Sequence, residues 1–190
     1  MPSMNLPSIS ELNEFVYEDF NSTISILFES APPLGKYLYE ARPFSSYSSL
    51  INFAESIALN ENHLTFQEKL EVINAHPRLG ENKKKLSALS YKEQGYENTT
   101  ATNENDNYGK SDENKNNDDD SINEQLQQLN RKYEEKYGFR FVVFVNRRSR
   151  KEIIPILEGR LKDGSKEQEL DTGIKEMFKI ARDRLSNLEK

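Results

Sequence analysis

The sequence has no cysteine, which excludes disulfides, thiolate metal sites and a cysteine nucleophile. Its two histidines, His63 and His76, match no zinc-ligand spacing, so no metal is expected. Eight scattered glycines form no phosphate-cradling loop and no dinucleotide fingerprint, and no G-x-S-x-G elbow occurs. No apolar run approaches the roughly 20 residues of a membrane helix. The opening "MPSMNLPSISELNEF" also lacks the basic-then-apolar layout of a signal peptide. A surplus of positive charge is missing too: 26 Lys and Arg stand against 32 Asp and Glu, which gives no support for phosphate neutralisation or nucleic-acid binding. The basic clusters, Lys83 to Lys85 and "RRSRK" at Arg147 to Lys151, read as solvated surface.

What is present is a chain of 190 residues, enough for one domain over residues 1–190. One stretch stands outside any core. Residues 97–121, "ENTTATNENDNYGKSDENKNNDDDS", hold eight acids and two lysines, a net of −6 that equals the net charge of the whole chain. Such a segment cannot offset its ordering entropy by burial and is expected to be a long, disordered acidic loop.

Helical periodicity fills most of the rest. Leu12, Val16, Phe20, Ile24 and Leu27 predict one amphipathic helix, ended by Pro32-Pro33. Thr65-x-x-Glu68 announces a second helix, carrying Phe66, Leu70 and Ile73 until Pro77. Ile122, Leu126, Leu129 and Tyr133 give a third, stopped at Gly138. Leu170, Ile174, Met177, Ala181, Leu185 and Leu188 give the clearest, at the end of the chain. The expected fold class is all-α, a helical bundle. "FRFVVFV", Phe139 to Val145, is strand-like by propensity, but with no second strand to pair it is read as a buried helix or an extended connector. Ser149-x-x-Glu152 is a possible cap, although Pro155 would then fall inside the helix, so a later start or a kink is expected.

Candidate chemistry gathers at few residues. His76, in "AHPRLG", ends the second helix, where the negative end of the dipole favours the imidazolium. It is read either as a helix cap or as a proton-transferring group. His63 reads as a surface residue. Ser90-x-x-Glu93 has capping-box spacing, and a helix start can also hold a carboxylate. Arg184 leaves the apolar face of the last helix and needs an anion, either an internal acid or a substrate carboxylate. Arg160 stands similarly to Ile153, Ile156 and Leu157, and an internal acid is its expected partner.

"RPF" at Arg42, "AHPRLG" at Ala75, "SYKEQ" at Ser90, "NRKYEEKYGFRFVVFV" at Asn130 and "IARDRL" at Ile180 occur in an order that resembles the 2-oxo-4-hydroxy-4-carboxy-5-ureidoimidazoline (OHCU) decarboxylase family. The resemblance runs from about Leu12 to Leu188. It implies an all-helical, cofactor-free enzyme of urate breakdown that converts OHCU to (S)-allantoin and CO2, acting as a homodimer on a small-molecule substrate. It further implies His76 as proton donor, Glu93 as its acidic partner and Arg184 as the guanidinium that holds the substrate. Pro77, Ser90, Tyr91, Lys92, Glu93, Gln94, Arg160 and the backbone of Phe141, Val142, Val143, Phe144 and Val145 are the implied remainder of the substrate pocket. In the family the Glu-Gln pair usually leads into an Ala-Gly-Leu helix, whereas here Gln94 is followed by Gly95, Tyr96 and the polar insertion. The competing reading is a catalytically inactive helical relative acting as a protein-interaction module. Leu188-Glu189-Lys190 is not the peroxisomal Ser-Lys-Leu tripeptide, and the expected location is cytoplasmic or peroxisomal.

Overall fold

The structure, a computed structural model, describes residues 6–29, 32–80, 86, 88–94, 113–162 and 164–189, with the side chains of Ala88 and residues 113–120 left aside. Among the described residues there are nine helices and no strand. They group into two compact units. The first comprises Met1–His76, Val142–Phe144 and Ser165–Lys190, and the second Pro77–Phe141 and Val145–Gly164.

The first unit holds α1 (Ile9–Glu14), α2 (Tyr17–Phe28), α3 (Pro32–Glu40), α4 (Tyr47–Leu59), α5 (Phe66–Asn74) and α9 (Lys166–Leu188). Helix α9 is its axis, packing on α2, α4 and α5, while α3 lies against α2, α4 and α5. The expected apolar positions Leu170, Ile174, Met177, Ala181 and Leu185 are all buried, and Phe178 adds an edge-to-face contact with Phe28 at 5.7 Å.

The predicted first helix is two. Phe15 and Val16 take extended backbone, and Val16 is 58% exposed instead of filling the stripe. The break is tied down by the "RPF" arginine. Arg42 donates to the carbonyls of Asn13 (2.7 Å), Phe15 (2.9 Å) and Tyr39 (2.8 Å) and lies 3.5 Å from the Tyr39 ring centroid. The bonds to Asn13 and Phe15 satisfy carbonyls that a continuous helix would have used itself. Pro32 also opens α3, as proline does at a first helical position where its missing N–H costs nothing. Helix α4 escaped the periodicity reading, although Leu50, Ile51, Ala54, Ile57 and Ala58 are buried on it.

Thr65 and Glu68 form the predicted capping box, with both Thr65 N–H and Oγ1 donating to Glu68 Oε2 at 2.8 Å. The buried face of α5 is Lys69, Val72 and Ile73, however. Phe66 is exposed, with Lys166 Nζ 5.2 Å from its ring centroid. Hydrogen bonds from the Thr65 backbone and then its side chain hold the Glu68 carboxyl below its ordinary value of 4.5. A lowered folded-state pKa stabilises above the unfolded value, and that stability is lost as the pH falls through the folded one. Glu68→Gln is therefore expected to lower the melting temperature near neutral pH. The gap to wild type should close in melts recorded below pH 4.5.

The second unit holds α6 (Ala88–Glu93), α7 (Glu113–Tyr137) and α8 (Arg150–Lys162). Helix α7 begins at Glu113, so the last nine residues of the expected acidic loop are helical, because a helix anchored by its packed end propagates at one hydrogen bond per residue. Residues 97–112 of that loop, and Lys83 to Lys85, lie outside the described residues. Gly138, at φ 81°, stops α7 as expected. Tyr133, Tyr137, Phe139 and Phe141 then form an aromatic cluster with centroid distances from Tyr133 of 4.8, 5.8 and 5.3 Å. Helix α8 starts at Arg150 behind a Ser149 and Glu152 capping box, not later. It carries Pro155 on its exposed face, where water can satisfy the carbonyl that proline leaves unbonded.

Candidate active site

Helix α5 ends at Asn74 with Ala75 as its C-cap, and the His76 N–H closes the last turn onto the Ile73 carbonyl at 3.3 Å. The His76 side chain is only 3% exposed. The backbone N–H of His76 thus closes the turn, and its ring is withdrawn from solvent. Pro77 excludes another helical turn.

The three residues after Pro77 are clamped by side chains of their own unit. Arg78 Nη2 donates to Glu134 Oε2 at 2.8 Å, with Nε on the other carboxylate oxygen, a bidentate pair. Asn130 Nδ2 donates to the Leu79 carbonyl at 2.9 Å. Gln94 uses both ends of its amide, its Oε1 accepting from the Gly80 N–H at 3.0 Å and its Nε2 donating to the Arg78 carbonyl at 3.3 Å. Gly80 sits at φ 77°, where a side chain would be strained, and a Cβ there would stand 3.4 Å from Leu126 Cβ. The "AHPRLG" wording is therefore a buried histidine followed by a turn whose backbone is held by Gln94, just after α6, and from α7.

The Ser90 and Glu93 capping box is overturned. Ser90 lies within α6, buried, with its carbonyl accepting from the Gln94 N–H at 3.0 Å, and Glu93 is the last residue of that helix. The spacing matched, but α6 starts at Ala88, two residues before the expected cap. Tyr91 and Glu93 are half-buried and Lys92 is exposed.

"FRFVVFV" is a connector that is neither helix nor strand. Phe141, Val142 and Val143 are buried, and Phe144 and Val145 are half-buried. A connector this apolar must still satisfy its main chain, and the Phe144 N–H does so on Glu176 Oε2 at 2.8 Å, without a neighbouring strand. Arg160 lies with its guanidinium 4.7 Å from the Phe141 ring centroid and 5.9 Å from that of Tyr133, whose hydroxyl it approaches at 3.3 Å. Stacking on aromatic faces thus accompanies any acid as the environment of that charge.

Arg184 is 3% exposed, and its Nη2 donates to Glu29 Oε1 at 2.8 Å and its Nη1 to the Ile26 carbonyl at 3.1 Å. Of the two partners left open for this guanidinium, the structure supplies the internal acid. Periodicity offered no signal for Glu29; the one clue was that a buried arginine requires an anion.

His76, Val142, Val143, Phe144 and Arg184 belong to the first unit, and Pro77, Ser90 to Gln94, Phe141, Val145 and Arg160 to the second. Within the second, the structure brings Gln94 onto the Arg78 to Gly80 turn and Arg160 onto Phe141. An open groove of about 430 Å³ in the first unit holds none of the expected residues, and its Arg182 is bonded to Glu55 (2.6 Å) and Asn52 (2.9 Å). No helix of the described residues is long and apolar enough to cross a membrane.

The architecture defines the class first. It is shared with a crystal structure of an OHCU decarboxylase in the presence of (S)-allantoin, at 20% identity and a TM-score of 0.61 over 88% of this chain and 97% of that one. It is shared also with a crystal structure of an (S)-allantoin synthase, at 19% identity and a TM-score of 0.61 over 96% and 54%. At these identities the likeness shows the fold, an all-helical one. The chain belongs to the OHCU decarboxylase family, whose model matches residues 13–110 and 100–186.

Among the curated relatives, the uric acid degradation bifunctional protein PucL of Bacillus subtilis (strain 168) is 28% identical over 95% of this chain. The chain spans about a third (32%) of that protein's length. The 2-oxo-4-hydroxy-4-carboxy-5-ureidoimidazoline decarboxylases of Halalkalicoccus jeotgali and Haloferax volcanii are each 27% identical, over 95% and 94% of this chain and 91% and 94% of their own.

Proposed function

We propose that this chain decarboxylates OHCU to (S)-allantoin and CO2 in urate breakdown, without a cofactor, as a homodimer in the cytoplasm or peroxisome. The observation that carries the reading is the family match to residues 13–110 and 100–186, a range that includes His76, Glu93 and Arg184.

Loss of CO2 leaves an electron pair on the former carboxylate-bearing carbon, which the adjacent ring carbon–nitrogen π system accepts. The acceleration then comes from fixed donors around the developing anion. In this reading His76 exchanges a proton with the substrate, Glu93 supplies the carboxylate of the set and Arg184 anchors the polar edge. Pro77, Ser90 and the backbone of Phe141 to Val145 shape the surroundings. Protonation on one face sets the S configuration. Gln94 acts indirectly, because its amide is spent on the turn after Pro77.

The test uses OHCU generated transiently from urate by an oxidase and a hydrolase. Addition of the protein is expected to accelerate the appearance of optically active allantoin in circular dichroism. A time course identical to spontaneous decay would identify an inactive helical relative instead.

A further inference from the structure

We infer that Glu29 is a positioning residue that fixes the guanidinium of Arg184. The inference deepens the proposed function and rests on its reading of Arg184 as the group that anchors the substrate.

Arg184 is nine-tenths buried and more, and two of its nitrogens are fixed by the end of a single helix. Nη2 meets Glu29 Oε1 at 2.8 Å, and Nη1 meets the Ile26 carbonyl at 3.1 Å. Ile26 lies in the last turn of α2, whose terminal carbonyls have no partner inside the helix and carry the negative end of the dipole. Glu29 is the C-cap of that helix, at φ 51°, with its N–H on the Ser25 carbonyl at 2.9 Å. A non-glycine residue held in the left-handed region puts the carboxylate at one defined place after the helix end.

The surroundings hold this arrangement still. Phe28, one residue before Glu29, packs edge-to-face on Phe178, which lies on α9 upstream of Arg184. The cavity lined by Phe28, Glu29, Leu34 and Gly35 measures about 10 Å³, room for one water at most. Both ends of the ion pair are thus tied to the same packed pair of helices.

The chemical consequence concerns how a substrate carboxylate is recognised. A lone guanidinium in an apolar interior would be a costly charge that attracts anions from any direction. With Glu29 beside it the pair is close to neutral, and what is presented is an oriented set of N–H donors. Selection then rests on geometry more than on net charge.

The experiment measures OHCU turnover and melting temperature for wild type, Glu29→Ala, Glu29→Gln, Arg184→Ala and the double variant Glu29→Ala with Arg184→Ala. Glu29→Ala is expected to raise KM by about tenfold with kcat little changed, the pattern of lost anchoring. Glu29→Gln keeps an oxygen acceptor for Nη2 and is expected to retain most of the wild-type kcat/KM. The double variant should be no worse in kcat/KM than Arg184→Ala alone, because the inferred part of Glu29 in turnover runs through that guanidinium. Should Glu29→Ala fail to fold, Glu29→Asp, which withdraws the acceptor by one methylene, takes its place with the same direction of change. An active wild type with a defective Arg184→Ala but a wild-type KM in Glu29→Ala overturns the inference alone. So does additivity in the double variant. An inactive wild type, or an Arg184→Ala with undiminished kcat/KM, overturns the reading of Arg184 and the inference with it.

Discussion

His76→Gln is expected to lower kcat for OHCU by about 10²- to 10⁴-fold, the range in which a positioned acid or base contributes, while the helices remain in place. The two halves of this expectation come from different atoms. The backbone N–H of His76 closes the last turn of α5, and that bond to Ile73 is available to any residue but proline. Pro77, which stops the helix, is untouched. The imidazole itself is buried, so its replacement is felt locally, and glutamine fills much of the vacated volume. A purely structural histidine would behave oppositely, with the melting temperature falling and turnover per folded molecule unchanged. Circular dichroism supplies both readouts, the far-ultraviolet melt and the optical activity of the accumulating allantoin.

Phe178→Ala is expected to be the most damaging truncation for stability, at about 3 to 5 kcal/mol, or a fall in melting temperature of roughly 10 °C for a chain of this size. Phe178 is fully buried on α9, the helix against which α2, α4 and α5 pack. Its ring also meets Phe28 at the end of α2. Removing it opens a cavity where two helices would have to close on each other to refill it. Phe53, 38% exposed on α4 with its ring 5.7 Å from that of Phe44, is the comparison: Phe53→Ala should cost distinctly less than Phe178→Ala. Denaturant titrations with an unchanged m-value would attribute the difference to packing and not to the unfolded ensemble. A loss below about 1 kcal/mol for Phe178→Ala would mean that α9 is not the packing axis.

The helical character of the chain was readable wherever burial repeats at three and four residues, as on α9. It failed where the main chain departs from a helix without interrupting the pattern. Val16 continues the apolar spacing of its neighbours, yet two carbonyls, those of Asn13 and Phe15, contacted by one distant arginine, Arg42, set the backbone there. Ser90 and Glu93 illustrate the reverse error: a capping spacing is local and short, and it cannot tell the start of a helix from its interior. The candidate site was legible as residue types, because a histidine before proline and an arginine on an apolar face are unusual in themselves. Their partners were not. Glu29, which pairs with Arg184, and Glu134 and Asn130, which hold the turn after Pro77, are ordinary residues of amphipathic or polar stretches, and tertiary contact alone gives them their parts.

The segment from Phe141 to Val145 has a consequence for the fate of the unfolded chain. "FVVFV" has high β-propensity, no charge and no proline, the composition of segments that stack into fibrils. In the native fold Phe141, Val142 and Val143 are buried and the amide of Phe144 is bonded to Glu176, which keeps that N–H from pairing with a strand of another molecule. Arg140 precedes it, and Arg147 and Arg148 follow one residue after its end, charges placed where gatekeepers oppose self-association. The carboxylate of Glu176 thus occupies an amide that would otherwise be available for strand pairing.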